Sequence, residues 1–141
     1  TKKYWCFYAS DFHLEMILLP YIKNNIQKDK FVILTEENLS DSIKVLLNRT
    51  NLNLEEKNLM LGLDWKEKNK LDISKYKFDD HTIIINGSSD YIDKVNKEIR
   101  SKQPKKINII DCYSINDKNV ELGQIEEKYD GILNTSRSKK I

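Results

Sequence analysis

Five short apolar runs recur along the chain, and they constrain the fold more than any other feature of the sequence. They occupy residues 3–9, 30–36, 81–86, 105–113 and 131–136. Runs such as KYWCFYA and HTIIIN are almost continuously apolar and do not alternate with polar residues. This pattern is typical of a strand that is covered on both faces, as in parallel α/β proteins. The sequence therefore predicts strands buried between two layers of helices.

Segments with helical periodicity lie between these runs. They cover residues 11–27, 38–52, 54–61, 91–101 and 120–128. Strands that alternate with helices long enough to cross over form a parallel sheet with helices on both faces. We therefore expect a single domain over residues 1–141, with a three-layer α/β/α fold and a mostly parallel central sheet of about five strands.

The first predicted helix carries two specific expectations. Its periodic apolar residues Phe12, Met16 and Leu19 should face the core, with Glu15 on the polar side between them. Pro20 lies inside the helix. Because proline has no amide hydrogen and clashes with the preceding turn, it should kink the helix or divide it into two segments.

Two stretches do not follow the alternation of strands and helices. Residues 65–80 are polar, and we expect a surface excursion anchored by Trp65, Ile73, Tyr76 and Phe78. The residues after the fifth predicted strand, which include RSKK, form a basic tail.

The composition is that of a globular protein with a polar surface, since 39% of the residues are hydrophobic and 33% are charged. No apolar stretch reaches the length of a membrane span, and no signal peptide is recognisable, so we expect a cytoplasmic protein. Cys6 and Cys112 lie inside apolar runs, which is typical of reduced thiols in a core. With two histidines and neither a CxxC nor an HxxxH pattern, no zinc site is predicted.

The carboxyl ends of the predicted strands locate a candidate ligand site. In open parallel sheets, ligands bind beyond these ends, where the amino termini of helices also present free amide groups. The side chains at the ends are Ser10, Asp11, Thr35, Glu36, Gly87, Ser88, Ser89, Asp111 and Arg137. We expect these residues to border any ligand pocket.

Several nucleotide-binding and catalytic motifs are missing from these positions. The turn after the first strand, YASDFHLEM, has neither the glycines nor the lysine of a phosphate-binding loop, and the GxGxxG dinucleotide fingerprint is absent. A hydrolase GxSxG motif is also absent. Only NGSSD at 86–90 offers a glycine and hydroxyls at a helix start, where they could hold an anion or simply form a turn with a serine cap.

Asp111, in the apolar run INIIDCY, is the residue that most resembles a functional acid. An acid at the end of an apolar strand holds magnesium or orients water in RecA-like ATPases, but that role requires phosphates delivered by the missing loop. The alternative is that Asp111 terminates a strand or caps the turn that follows.

The first third of the chain contains a series of elements that occur together in a known family. They are Phe7 and Tyr8 in the first strand, Ser10 in a polar turn, Pro20 with Tyr21 in a helix, and the apolar strand 31–35. This arrangement resembles the opening of MEDS-type sensory domains. Such domains are similar in fold to RecA-like ATPases that have lost the phosphate loop. The resemblance implies a ligand-sensing module in a regulator.

Two classes of function remain as hypotheses. The first is a non-catalytic regulatory or sensory domain that binds a small ligand or a protein partner, which could be a second copy of the chain, and uses no cofactor. The alternative is a small metal-dependent enzyme, with Asp11, Glu36 and Asp111 as clustered acids and an anionic, phosphate-containing substrate on Ser88, Ser89 and Arg137. Nucleic-acid binding through RSKK and SKQPKK is disfavoured, because the net charge is only +2 and no aromatic residues are interleaved with the basic ones.

Overall fold

Strands and helices alternate along the chain as the sequence predicts. The computed structural model describes residues 1–26, 28–68, 75–117, 129–133 and 138–140, the last stretch as backbone only. Its strands are β1 Lys2–Tyr8, β2 Lys30–Thr35, β3 His81–Gly87, β4 Asn108–Ser114, β5 Gly131–Leu133 and β6 Ser138–Lys140. Its helices are α1 Asp11–Asn25, α2 Ser40–Asn48, α3 Leu54–Leu61 and α4 Ser89–Ser101. The helix predicted at 120–128 lies outside the described residues.

The described strands form one sheet in the order β2-β3-β4-β1-β5-β6. Strands β1 to β5 pair in parallel, and β6 pairs antiparallel with β5. The predicted α/β fold with a mostly parallel central sheet is therefore confirmed. Strand β6 lies where the sequence predicts only a basic tail.

The first strand lies inside the sheet, between β4 and β5. From β1 the chain continues to β2 at the far edge of the sheet, whereas from β4 it continues to β5 on the other side of β1. The chain therefore leaves these two neighbouring strands in opposite directions. In open α/β sheets, such a point leaves a crevice beyond the carboxyl ends of the strands.

Helices cover both faces of the sheet. Helices α1, α2 and α3 pack on one face, with Leu18, Ile43 and Met60 fully buried there. Helix α4 packs on the other face through Ile92 and Ile99. None of the described helices combines the length and the apolar character that a membrane crossing needs.

The stretch between α3 and β3 contacts both faces. Trp65 is buried with the helices α1 to α3, whereas Phe78 is buried on the face of α4. Between them, Glu67 pairs with Thr35 at the carboxyl end of β2. The predicted anchors Trp65 and Phe78 are therefore found in the core, and Ile73 lies outside the described residues.

Helix α1 departs from its prediction in the face that it buries. It is a single helix that continues through Pro20, so of the two effects predicted for the proline, a division of the helix does not occur. Phe12 and Met16 are 54% and 44% exposed, so the predicted inward face is wrong for these residues, and Leu18 is buried instead. The helix is apolar on most sides, so more than one face satisfies the helical period. Glu15, expected on the polar side, is buried, and burial raises its pKa.

The two cysteines lie side by side in the sheet. Cys6 of β1 is in register with Cys112 of β4, and both are buried and free. Burial in apolar surroundings raises the pKa of the Cys112 thiol. Both residues are thus core thiols, as the sequence predicts.

A pair of alanine substitutions in α1 tests which face of this helix packs on the sheet. Leu18→Ala should lower the free energy of unfolding by about 2–5 kcal/mol, because it leaves a cavity at a fully buried site. Met16→Ala, on the exposed side of the same helix, should change it by less than about 0.5 kcal/mol. Urea unfolding followed by circular dichroism measures both. A larger loss for Met16→Ala than for Leu18→Ala would mean that α1 packs through the face predicted from the sequence.

Candidate functional site

The turn after β1 is held by hydrogen bonds within the chain. The Ser10 Oγ atom accepts a hydrogen bond from the His13 amide at 3.2 Å and so caps α1. The Ala9 amide donates to Nδ1 of His13 at 2.8 Å. Asp11, the first residue of α1, places a carboxylate in the same turn. The turn contains no glycine-rich segment whose amides could wrap a phosphate, and the negative charge of Asp11 would repel one.

Glu36 reaches from the end of β2 to the start of α4. Its Oε1 atom accepts a hydrogen bond from the Ser88 amide at 2.8 Å. Gly87 makes room for this contact, since a β-carbon there would lie 2.9 Å from Oε1 of Glu36 and 2.8 Å from Cδ2 of Tyr91. The Ser88 Oγ atom accepts a hydrogen bond from the Tyr91 amide at 3.2 Å and caps α4. Of the two interpretations of NGSSD, the structure shows the turn with a serine cap.

A second carboxylate lies at the same helix terminus. The Ser89 amide donates to Oδ2 of Asp117 at 2.8 Å. Glu36 and Asp117 together thus accept hydrogen bonds from the amides of Ser88 and Ser89, at the helix end where the dipole favours negative charge. The position that an external phosphate would take is therefore occupied by the side chains of the protein itself.

Thr35 and the acids around it form the rest of this edge. The Oγ1 atom of Thr35 donates to the Glu37 carbonyl at 2.8 Å and accepts from Nδ2 of Asn86 at 3.1 Å. The negative charge of Asp11 is the main cause that raises the pKa of Glu37, and burial, a hydrogen bond with Asp11 and the charge of Glu36 add to it. In the described part of the chain, no group of three or more His, Cys, Asp or Glu side chains is placed to hold a metal ion.

The structure thus separates the predicted site residues into groups. At the carboxyl ends of β1, β2 and β3 lie Ser10, Asp11, Thr35, Glu36, Gly87, Ser88 and Ser89. Arg137 lies outside the described residues. Asp111 lies elsewhere, on the face of the sheet that α4 covers.

Asp111 is in the middle of its strand and not at its end. Strand β4 continues to Ser114, and Asp111 is in register with Trp5 of β1 and Ile85 of β3. The prediction that Asp111 terminates the strand is therefore wrong, because the polar residue interrupts the apolar run without ending the ladder. Its neighbours on the same side of the strand, Ile109 and Tyr113, pack against α4, so alternation directs the Asp111 side chain to that face.

The fully buried Asp111 carboxylate is surrounded by donors from other parts of the chain. Nδ2 of Asn96 in α4 donates to its Oδ1 atom at 3.0 Å, and the Tyr129 hydroxyl donates to Oδ2. Nζ of Lys3 in β1 lies 3.7 Å from Oδ2. The hydroxyls of Tyr113 and Tyr129 are 3.0 Å apart. Because Tyr129 donates to the carboxylate, it accepts from Tyr113, so a chain of hydrogen bonds ends on Asp111.

Burial raises the pKa of Asp111, because removal from water disfavours the charged form. The ammonium of Lys3 and the hydrogen bonds from Tyr129 and Asn96 oppose this rise without cancelling it. Burial, with the charge of Asp111 adding to it, raises the pKa of Tyr129, and burial raises the pKa of Tyr113 to about 12. Both hydroxyls therefore remain protonated at neutral pH and keep their role as donors.

A cavity of about 410 Å³ adjoins this carboxylate, and we call it the Asp111 cavity. Its buried lining consists of Asn96, Asp111, Tyr113 and Tyr129, and its more exposed lining consists of Lys3, Asp93, Lys97 and Arg100. The volume falls within the range of about 300–1,000 Å³ that is usual for small-molecule sites. The Oδ1 atom of Asn96 is buried but has no hydrogen-bond partner among the described residues. This atom has almost no accessible surface, so it is an unsatisfied acceptor inside the wall of the cavity and not one that is open to it.

Sequence reasoning identified Asp111 but none of the other residues around the cavity. Asn96 carried a signal, since it is a polar residue beside the apolar positions Val95 and Ile99 of α4. Lys3 read only as the polar start of a strand, and Tyr129 follows a segment for which the sequence predicts a helix. Sequence separations of 15 and 18 residues divide Asn96 and Tyr129 from Asp111, so only the fold brings them together.

The fold and the cavity define an α/β domain with a mostly parallel sheet and a polar pocket on one face. Comparison with models of known protein families, with curated proteins and with solved structures finds no match for this chain. Inference about its function therefore depends on the site itself.

Removal of the Tyr129 hydroxyl tests the Asp111 network. Tyr129→Phe should destabilise the fold by about 1–3 kcal/mol at neutral pH, because a buried carboxylate loses a donor. The pKa of Asp111 in the folded protein lies above its ordinary value of 3.8. The folded state therefore favours the protonated form, and the free energy of unfolding falls as pH rises through the folded-state pKa. Tyr129→Phe removes a hydrogen bond to the ionised carboxyl group and so raises the pKa of Asp111 further. The stability that the variant loses relative to the unmodified protein should therefore grow with pH. Urea unfolding from about pH 4 to pH 8 measures the effect.

Tyr113→Phe is the matched control for this experiment. It removes a hydroxyl that bonds to Tyr129 but not to Asp111, so its cost should be about 1 kcal/mol and nearly independent of pH. If the deficits of the two variants varied with pH in the same way, Tyr129 would not be acting through the Asp111 carboxylate.

Proposed function

We propose that this chain is a non-catalytic regulatory or sensory domain that binds a small ligand in the Asp111 cavity. The single observation that carries this proposal is a polar cavity of ligand size beside a buried, hydrogen-bonded carboxylate. A buried acid with a raised pKa and a specific charged partner, placed in a cavity, is the kind of environment that functional sites build. The network fixes the walls of the cavity, which favours recognition of one ligand shape.

The carboxyl edge of the sheet supports a role without nucleotide hydrolysis. The turn after β1 carries Asp11 and hydrogen-bonded side chains in place of a phosphate loop. The first amides of α4 are already bonded to Glu36 and Asp117. ATP chemistry depends on positioning and neutralising phosphates, and this edge offers negative charge instead.

Descent from a RecA-like scaffold without its phosphate loop, as in MEDS-type sensory domains, is part of this proposal. What supports it is the parallel sheet with the first strand inside it and helices on both faces. The free, buried thiols of Cys6 and Cys112 are compatible with a cytoplasmic location, which we also propose.

The metal-dependent enzyme is a weaker alternative on the geometry. It needs Asp11, Glu36 and Asp111 to converge on one ion. Asp11 and Glu36 lie at the carboxyl edge, whereas the side chain of Asp111 points from mid-strand towards α4. The interval from Trp5, the neighbour of Asp111, to the end of β1 at Tyr8 is about 10 Å at 3.3 Å per residue. The three acids therefore do not form one site.

A protein partner is the other form of the regulatory proposal. Phe12 and Met16 of α1 and Val45 of α2 are exposed apolar side chains on the face opposite the cavity, and a partner or a second copy of the chain would use such residues. We prefer a small ligand because the Asp111 cavity has the volume of a small-molecule site and is lined by polar side chains, whereas single exposed apolar residues are common on any surface.

Blocking the cavity from its rim tests the proposal. In a thermal-shift screen of metabolites, nucleotides and metal ions, at least one small molecule should raise the melting temperature of the protein, because a ligand that binds only the folded state stabilises it. Lys97→Trp should abolish that shift by filling the cavity mouth while leaving the Asp111 network intact. Lys94→Trp, on the same helix but outside the cavity lining, should retain it.

Two results would contradict the proposal. One is a ligand-induced shift that survives Lys97→Trp, which would place the site elsewhere. The other is turnover of ATP by the purified protein, which would show a catalytic function that the carboxyl edge does not explain.

A further inference from the structure

Helix α1 buries a carboxyl group that has no hydrogen-bond partner in the described part of the chain. Glu15 is 0% exposed, and neither of its two side-chain oxygen atoms forms a hydrogen bond with a described residue. None of the ion pairs in the described ranges includes it. An ionised carboxylate is costly to bury without partners, whereas the protonated form is far less so. The packing around Glu15 therefore accommodates the neutral form and penalises the charged one.

The elements packed around Glu15 do not compensate its charge. Helix α1 contacts β1, α2 and α3. Burial is the main cause that raises the pKa of Glu15. The hydroxyl of Ser42 in α2 opposes this rise, but it donates its hydrogen bond to the Leu39 carbonyl, at 3.3 Å. The charge of Asp11, one turn earlier in α1, adds to the rise, and no described side chain of β1 or α3 contributes a charge that alters this pKa.

Asp11 also links Glu15 to the carboxyl end of β2. The charge of Asp11 is the main cause that raises the pKa of Glu37, and the two side chains share a hydrogen bond. Asp11 and Glu15 are four residues apart, so they lie on one side of α1 with about 5–6 Å between their β-carbons. Three acids thus follow one another from the end of β2 into the interface between α1 and α2. Rising pH adds like charges along this row, which disfavours the ionisation of its buried member.

Helix α2 is held less firmly than α1. Helix α1 is capped by Ser10 and packs on β1, whereas the nine-residue α2 packs mainly on α1 and α3. The N-cap residue of α2 is Leu39, whose side chain cannot accept a hydrogen bond from the first amides of the helix. Short helices of this kind open locally at a lower cost than the core of a protein. A movement of α2 would admit water to Glu15 and expose Ile43 and Leu47, which the closed contact buries.

We propose that the contact between α1 and α2 is a pH-sensitive switch, which is closed while Glu15 is protonated and is opened by its ionisation. The switch lies on the face of the sheet opposite the Asp111 cavity, so it goes beyond the proposed function and does not depend on it. Because the folded state favours protonated Glu15, the free energy of unfolding falls as pH rises from the ordinary pKa of 4.5 through the higher folded-state pKa. The contribution of protonated Glu15 is complete below this range and is lost above it.

The pair of variants Glu15→Gln and Glu55→Gln tests the role of the charge, since glutamine keeps the shape of the side chain. Glu15→Gln should raise the melting temperature by at least about 3 °C at about pH 8, and by less than about 1 °C at about pH 4, because only the ionised form is penalised. Glu55 is an exposed acid in the first turn of α3 and favours the positive end of the helix dipole. Glu55→Gln should therefore leave the melting temperature unchanged or lower it slightly at the higher pH. An equal gain for Glu15→Gln at both pH values would overturn the switch.

Hydrogen exchange followed by mass spectrometry locates the opening. The unmodified protein and Glu15→Gln are compared at the same pH, so that the intrinsic exchange rates and the titration of Asp111 cancel. At about pH 8, the amides of α2 should exchange at least about threefold faster in the unmodified protein, whereas those of α4 should differ by less than about twofold. A difference of the same size in α2 and α4 would show only a change in global stability, and local opening at Glu15 would be wrong.

An NMR titration of the Glu15 carboxyl carbon in the unmodified protein needs no variant. The pKa that it measures should lie above the ordinary value of 4.5, because burial outweighs the nearby Ser42 hydroxyl. A pKa at or below 4.5 would overturn the inference, even if Glu15→Gln does not fold.

Discussion

A carboxylate buried between a sheet and a helix is costly, and the way this protein stabilises Asp111 determines the architecture of one whole face. Removal of an ionised group from water costs several kcal/mol unless partners surround it. Here β1 supplies Lys3, α4 supplies Asn96, and the segment just before β5 supplies Tyr129. The register of β1 against β4 and the position of α4 must both be correct for these contacts to form. The network therefore links the sheet to α4 by polar contacts in addition to the apolar core.

The two candidate regions of the molecule differ in what they leave available. At the carboxyl edge, the amides of Ser88 and Ser89 are bonded to carboxylates of the protein, and the charge of Asp11 already disfavours ionisation of Glu37. An anion has little to gain there. At the Asp111 cavity, a buried acceptor and two cationic side chains remain without partners among the described residues. This contrast favours a candidate site on the face that α4 covers over one at the carboxyl ends of the strands, where sheet topology predicts it.

The sequence was sufficient to predict the layers of the fold, because continuous apolar runs such as HTIIIN require cover on both faces. It was insufficient wherever one sequence pattern is compatible with more than one structure. Helix α1 is apolar on most sides, so its period did not exclude Phe12 and Met16 from the core. An acid in INIIDCY fits both a strand end and a strand interior, and only the pairing of Ile85 with Asp111 distinguishes them. The cavity residues come from separate elements, so no local spacing reveals them.

The central claim is that burial, and not the ion pair with Lys3, dominates the environment of Asp111. The most direct test is an NMR titration of the Asp111 carboxyl carbon in the unmodified protein. The structure predicts a titration midpoint above the ordinary value of 3.8, because desolvation outweighs the neighbouring ammonium and the donated hydrogen bonds. A midpoint at or below 3.8 would show that the Lys3 ammonium and the donated hydrogen bonds outweigh burial at Asp111, and would contradict this account.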